Sequence, residues 1–322
     1  MGGTLVIGGG GMVGQKLALS LGRDPLVNRP ITLFDMMFPE KGAPGTQIIG
    51  NVTDKAEIAK VLEARPQTIF YLAAIVSGEA ETDYDKGWQV NMVAFWNFLE
   101  AIRAEQAARG AWKPKVIFTS SIAVFGPPFP QAIDDEFLCT PQTSYGAQKA
   151  ASELMLNDVS RKGIIDGIAV RLPTICVRPG KANLAASSFF SGITREPLNG
   201  REAILPVGTD VRQWHASPRS AAGFLRHAAE MDLNRLEGRM ALTLPGLSCT
   251  VEEQIEALRS VAGNDTVALI RFAPDEAIQK IVSGWPRRFA PDRALSLGFK
   301  AESTFREIID VYLEDDMPSS RT

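Results

Sequence analysis

The chain has 322 residues, enough for one large α/β domain with a smaller one appended, and a core of that size needs neither disulfide nor metal to hold it. Its 34 Lys and Arg stand against 37 Asp and Glu, a net charge of -3 that argues against nucleic acid or any other polyanionic partner. Cys139, Cys176 and Cys249 are odd in number, widely spaced and without a CxxC pair, so they read as free thiols in a reducing compartment, the cytoplasm.

Met1 runs almost directly into an apolar strand and a glycine loop, so no cleavable signal is expected, and no apolar run approaches the ~20 residues of a membrane span. The expectation is a soluble protein without a membrane partner. His215 and His227 lie at no ligand spacing from a cysteine or carboxylate pair, so no metal is expected.

From Thr4 to about Leu172, β-branched and apolar runs alternate with amphipathic helical patterns, which predicts a parallel sheet covered on both faces. The expected strands are 4–7, 31–35, 46–50, 68–72, 115–119 and 167–171. Directly after the first, the run LVIGGGGMVG at 5–14 sets Gly8, Gly11 and Gly14 in a GxxGxxG pattern that opens a helix near Met12. Lacking Cβ atoms, the first glycine permits a tight turn, the second lets backbone N–H groups approach a pyrophosphate, and the third lets helix and strand pack closely.

Asp35 ends the second strand, 21 positions after Gly14, where a carboxylate accepts hydrogen bonds from ribose hydroxyls and repels a 2′-phosphate; NAD is therefore expected over NADP. Gly50, Asn51 and Val52 close the third strand, and Leu72, Ala73 and Ala74 the fourth, where either a nucleotide passes or the turns simply pack. After Trp88 the residues Met92, Phe95, Trp96, Leu99 and Ile102 recur at helical spacing and are expected to face the sheet, with Glu100, Arg103 and Glu105 opposite.

Ser121 follows the fifth strand, and Tyr145 and Lys149 lie four apart in a helical pattern running to Leu156, on one helix face. A neighbouring ammonium favours a phenolate over a phenol, so Lys149 beside Tyr145 makes an acid/base pair, with the Ser121 hydroxyl to orient a substrate oxygen. After Arg171, prolines and glycines break the alternation, from Pro173 through Gly208. The division expected is a nucleotide-binding domain over 1–172, with some later segments returning to it, and a substrate lobe over 173–322 that keeps helical patterns at 251–261 and 305–313.

Taken in order and spacing, GxxGxxG, Ser121 within TSSIAVFG (119–126) and YGAQK (145–149) resemble the extended short-chain dehydrogenase/reductase family, and 90–101 resembles its long fourth helix. The resemblance spans the chain. It implies a Rossmann-type doubly wound parallel sheet with a smaller mixed α/β lobe, and an oxidoreductase whose catalytic group is Ser121, Tyr145 and Lys149. It also implies NAD held by Gly8, Gly11, Met12, Val13, Gly14, Asp35, Asn51, Val52, Leu72, Ala73, Ala74, Asn91, Tyr145, Lys149 and Pro173.

Two positions depart from the family pattern: Phe125 stands where many members carry Tyr, and Asn51 where many place an adenine-binding Asp. Within the family, AAIVSGE (73–79), RLPTICVRPG (171–180) and RQWHASP (212–218) look like members that oxidise sugar acids. That likeness implies a small sugar-acid partner contacted by Ser77, Ser121, Tyr145 and Thr174, with its carboxylate on Arg178 or Arg212, unless those arginines are solvated surface charges. It leaves His215 and His227 structural, and implies a homodimer paired through the helices that begin near Trp88 and Ser144. Nucleotide-sugar epimerases or dehydratases and uronate dehydrogenases share the same motifs, and a non-enzymatic NAD sensor would commonly lack the tyrosine.

Overall fold

The computed structural model describes residues 2–23, 30–180 and 186–317. It runs β1 Thr4–Ile7, α1 Met12–Gly22, β2 Ile31–Asp35, β3 Thr46–Ile49, α2 Lys55–Leu62, β4 Thr68–Tyr71, α3 Ser77–Thr82, α4 Tyr84–Trp88, a π-turn Gln89–Val93, α5 Ala94–Arg109, β5 Lys115–Ser121, α6 Ser144–Arg161 and β6 Asp166–Leu172. There follow β7 Thr174–Ile175, α7 Ser188–Leu198, β8 Ala203–Leu205, β9 Arg212–Ala216, α8 Pro218–Glu230, β10 Ala241–Thr243, β11 Leu247–Thr250 and α9 Val251–Val267. The last elements are β12 Ile270–Phe272, α10 Glu276–Ser283, α11 Asp292–Ser296 and α12 Phe305–Asp315. Among these described residues no helix is long and apolar enough to cross a membrane.

Two compact units form: one from the N-terminal strand to Val124 with Cys139–Leu172 and Ala222–Thr243, the other from Phe125–Leu138, Pro173–Ala221 and the chain from Leu244 onward. Residues 125–138 thus fall in the second unit, and the later segment 222–243 falls in the first. Residues 125–138 pack with the second unit because Ile133 bridges Phe289 and bonds to Arg288 and Ala290. Residues 222–243 return to the first because β10 pairs with β6, Leu242 opposite Val170.

The first unit is a seven-stranded sheet in the order β10-β6-β5-β4-β1-β2-β3, every pairing parallel. Leu5, Val6 and Ile7 are buried without alternation, as strands covered on both faces require. The strand order reverses direction between β1 and β4, and a crevice at the carboxyl ends of strands beside such a reversal is where open α/β sheets bind ligands. Tyr71, Phe95, Phe98 and Phe118 interlock in the core, with Phe95 and Phe118 ring centroids 4.4 Å apart. The edge strand β3 is fully exposed and stops at Ile49, one residue short of expectation.

On α5 the buried stripe is Phe95, Phe98, Leu99 and Ile102, while Trp96 is 42% exposed, against expectation. Trp96 lies about 100° round from Phe95, at the margin of that stripe, and the π-turn Gln89–Val93 keeps the spacing from Met92 from carrying into the helix.

In the second unit, β11-β9-β7 form one sheet, β9 and β11 antiparallel, and β12 and β8 a separate parallel pair. Its core gathers Cys176, Phe190, Ile193, Cys249, Leu258 and Ile308, and all three cysteines are free. His215 is fully buried, edge-on to Phe190 and Phe305, and burial pushes it down to about 3, so it is a neutral packing residue.

Candidate active site

The glycine loop shows which of its glycines the protein itself requires. Gly8 has φ +89, and a Cβ there would lie 2.6 Å from the Ala73 nitrogen; a Cβ on buried Gly14 would meet the Gly8 carbonyl oxygen at 2.3 Å. Gly11 differs: it is exposed, and the nearest atom to an added Cβ is 3.5 Å away, an ordinary contact. Nothing in the polypeptide demands glycine at 11, and the exposed backbone there is open to close approach by a ligand.

Gly11 is also the N-cap of α1, no side chain caps this helix, and its first turn carries no acid. The N–H groups of the turn that includes Met12 and Val13 thus present an uncompensated positive end suited to a pyrophosphate. Asp35 Oδ2 accepts from Gly10 N at 2.9 Å and Oδ1 from Met36 N at 2.7 Å, which fixes the carboxylate beside the loop with lone pairs left for ribose hydroxyls. Leu72 N and Ala73 N both donate to Ile7 O, bringing the end of β4 alongside the loop. These residues fit NAD.

Ser121, Tyr145 and Lys149 lie where α6 meets the end of β5. Thr143 caps α6 by accepting from Gly146 N at 3.1 Å, which places Tyr145 in the first turn. Gly146 lets that turn press on the β5 loop, since a Cβ there would sit 2.2 Å from the Ala123 carbonyl oxygen. Ala123 in turn donates its N–H to Ser121 Oγ at 3.1 Å, so Ser121 and Tyr145 flank one tight backbone contact.

One turn further, Lys149 is 1% exposed. Its Nζ donates to the Thr119 carbonyl at 2.8 Å and stands 4.7 Å from the Phe118 ring and 5.7 Å from the Tyr145 ring. Burial pushes the ammonium down to about 7, and the Glu153 carboxylate pulls it back up.

Other expected site residues are engaged in holding the frame. Asn91 is 1% exposed; its Oδ1 accepts from Ile75 N at 2.9 Å and its Nδ2 donates to Gln148 Oε1 at 2.8 Å. It thereby holds the Ile75 backbone, just ahead of α3, which Ser77 opens. Asn51 Oδ1 accepts from Thr53 N and Oγ1, closing a turn, and Val52 packs against the core. Ala74 is exposed.

In the second unit Pro173 is buried and Thr174 Oγ1 accepts from Gln213 Nε2 at 2.8 Å. Arg178 Nε donates to Ile175 O at 2.9 Å and Nη2 to Ser187 Oγ at 2.7 Å. Arg212 Nη1 donates to Ser248 O at 3.0 Å and lies 3.4 Å from Glu253. Sequence reading passed over Gln148, Glu153, Arg171 and Gln213; for Glu153 the signal was present, four residues after Lys149 on the same face.

Comparison with known proteins agrees with this architecture. The profile of the NAD dependent epimerase/dehydratase family matches residues 4–234. A D-erythronate dehydrogenase of Cupriavidus necator is 41% identical, covering 97% of this chain and 98% of that protein. A second, of Haemophilus influenzae, is 40% identical over 98% of this chain and 99% of its own length. A crystal structure described as a nucleoside-diphosphate-sugar epimerase from Agrobacterium tumefaciens superposes with TM-score 0.92 at 53% identity, covering 98% and 95% of the two chains. With its parallel sheet, glycine loop and NAD-fitting carboxylate, the chain belongs to the NAD-dependent epimerase/dehydratase family, the extended short-chain dehydrogenase/reductases.

Proposed function

We propose that this protein is a cytoplasmic, homodimeric NAD-dependent dehydrogenase that oxidises the C2 hydroxyl of a short sugar acid, D-erythronate, to the 2-keto acid. The observation that carries the reading is the near-complete coverage of two relatives named D-erythronate dehydrogenase at 41% and 40% identity. Tyr145, as phenolate, takes the hydroxyl proton; Ser121 orients that oxygen; Lys149, charged, favours the phenolate. NAD, when bound, accepts the C2 hydride. Arg178 or Arg212 supplies the cation for the substrate carboxylate, which turns C2 rather than another carbon toward the site.

The 53% identical structure from Agrobacterium tumefaciens, described as a nucleoside-diphosphate-sugar epimerase, supports a second reading, a nucleotide-sugar epimerase, in which the hydride returns to the substrate. Against it stands RQWHAS at 212–217, in place of the arginine-aromatic-valine pattern expected around a nucleoside diphosphate. A panel of four-, five- and six-carbon aldonates, uronates and nucleotide sugars, each assayed for NADH formation, separates the two. D-Erythronate is expected to give the highest kcat/KM. A uronate or nucleotide sugar that clearly outperforms every four-carbon acid would overturn the assignment.

A further inference from the structure

We infer that Glu153 is a positioning residue for the reaction: clamped by Arg171 and bonded to Ser120, it ties the end of β5 to α6 and gives Lys149 the anionic neighbour it needs beside Tyr145. The inference rests on the reading that Tyr145 and Lys149 handle the substrate proton.

Tyr145, Lys149 and Glu153 follow one another at intervals of four on α6, hence on one face. Glu153 is 7% exposed, and its Oε1 accepts from Ser120 Oγ at 2.5 Å and Arg171 Nε at 2.9 Å, while Oε2 accepts from Arg171 Nη2 at 2.7 Å. Ser120 is the residue between Thr119, whose carbonyl receives Lys149, and Ser121. One carboxylate therefore fixes the strand end that carries both Lys149's acceptor and the substrate-orienting hydroxyl. A buried ion pair of this kind is weak evidence for stability, because apolar residues of similar volume often hold a fold as well; its placement beside a buried lysine calls for another reason.

The groups around Lys149 define the electrostatics. Its own helix presents Tyr145 and Glu153, and β5 presents the Phe118 ring and the Thr119 carbonyl. From β6 comes Arg171, held on Glu153, with Cys139 Sγ 3.2 Å from its Nη2, and the π-turn packed on α6 carries no charged residue. Burial drives Lys149 toward the neutral amine, and the Glu153 field opposes this. Without that field Lys149 loses its proton at lower pH. The phenol of Tyr145 then has no cation beside it and ionises only at higher pH, so the acid-side limb of the oxidation profile moves up.

The test is kcat/KM against pH, with the best substrate of the panel above, for wild type, Glu153→Gln, Glu153→Asp and Tyr145→Phe. Glu153→Gln removes the carboxylate that Arg171 is held on, so the doubly neutral Glu153→Gln/Arg171→Gln variant is measured as well; it limits the loss of folding and still removes the anion. Both neutral variants are expected to shift the acid-side midpoint up by about one pH unit or more, with NAD affinity retained. Glu153→Asp keeps the charge and is expected to hold the wild-type midpoint at a reduced kcat. Unmoved midpoints in both neutral variants would reduce Glu153 to a packing residue and overturn the inference. Wild-type turnover in Tyr145→Phe would instead overturn the site reading beneath it.

Discussion

Replacing Tyr145 by Phe is expected to lower kcat by roughly 10²–10⁴-fold while NAD binds with near wild-type affinity. The change removes one oxygen from a half-buried ring in the first turn of a capped helix, and the Thr143 cap and the Gly146–Ala123 approach that place the ring do not involve that oxygen. The transferable proton is lost with it. Turnover is read from NADH formation under saturating substrate, and affinity from a fluorescence titration of NAD. A variant that turns over within a few-fold of wild type would remove Tyr145 from the reaction and with it the role given to Lys149.

Gly11→Ala should separate cofactor binding from folding. The added Cβ meets only an ordinary contact with the Gly8 carbonyl oxygen, and a change of N-cap from Gly to Ala costs about 1 kcal/mol or less. The thermal midpoint is therefore expected to move by only a few degrees. NAD affinity, by contrast, is expected to fall tenfold or more, equivalent to about 1.4 kcal/mol, because the methyl occupies space at the uncapped end of α1 that the pyrophosphate needs. Gly14→Ala gives the contrast: its Cβ collides with backbone at 2.3 Å, so stability itself should drop. Unchanged NAD affinity in Gly11→Ala would mean that the pyrophosphate does not lie on this loop.

Much of this was legible in the residues, for a physical reason. The six expected strands lie within one or two residues of β1 to β6, because parallel strands buried on both faces read as unbroken apolar runs, and Gly8, Asp35, Gly50 and Pro173 close four of them. β10 was not legible: three residues, Ala241–Thr243, carry no period of their own and become a strand only through the edge that β6 offers. The placement of 125–138 rests likewise on one remote bridge, Ile133 to Phe289. Trp96 was misread because it stands about 100° round from Phe95, at the margin of the stripe that Phe95, Phe98, Leu99 and Ile102 bury, where an apolar residue still matches the helical spacing. At the site, Gly8, Gly11, Gly14, Asp35, Tyr145 and Lys149 were readable because each answers a local requirement of spacing or shape. The jobs of Asn91 and Gln148 depend on partners 16 and 57 positions away, which no local pattern encodes.

The central claim, net oxidation at C2 with the proton and hydride taken separately, is tested most directly with D-erythronate carrying deuterium at C2. After partial turnover with NAD, mass spectrometry of the reduced cofactor is expected to find one deuterium in NADH for each 2-keto acid formed. If the deuterium stays in a sugar acid, inverted or not, and no NADH accumulates, the hydride has been returned to the substrate and the protein is an epimerase rather than a dehydrogenase.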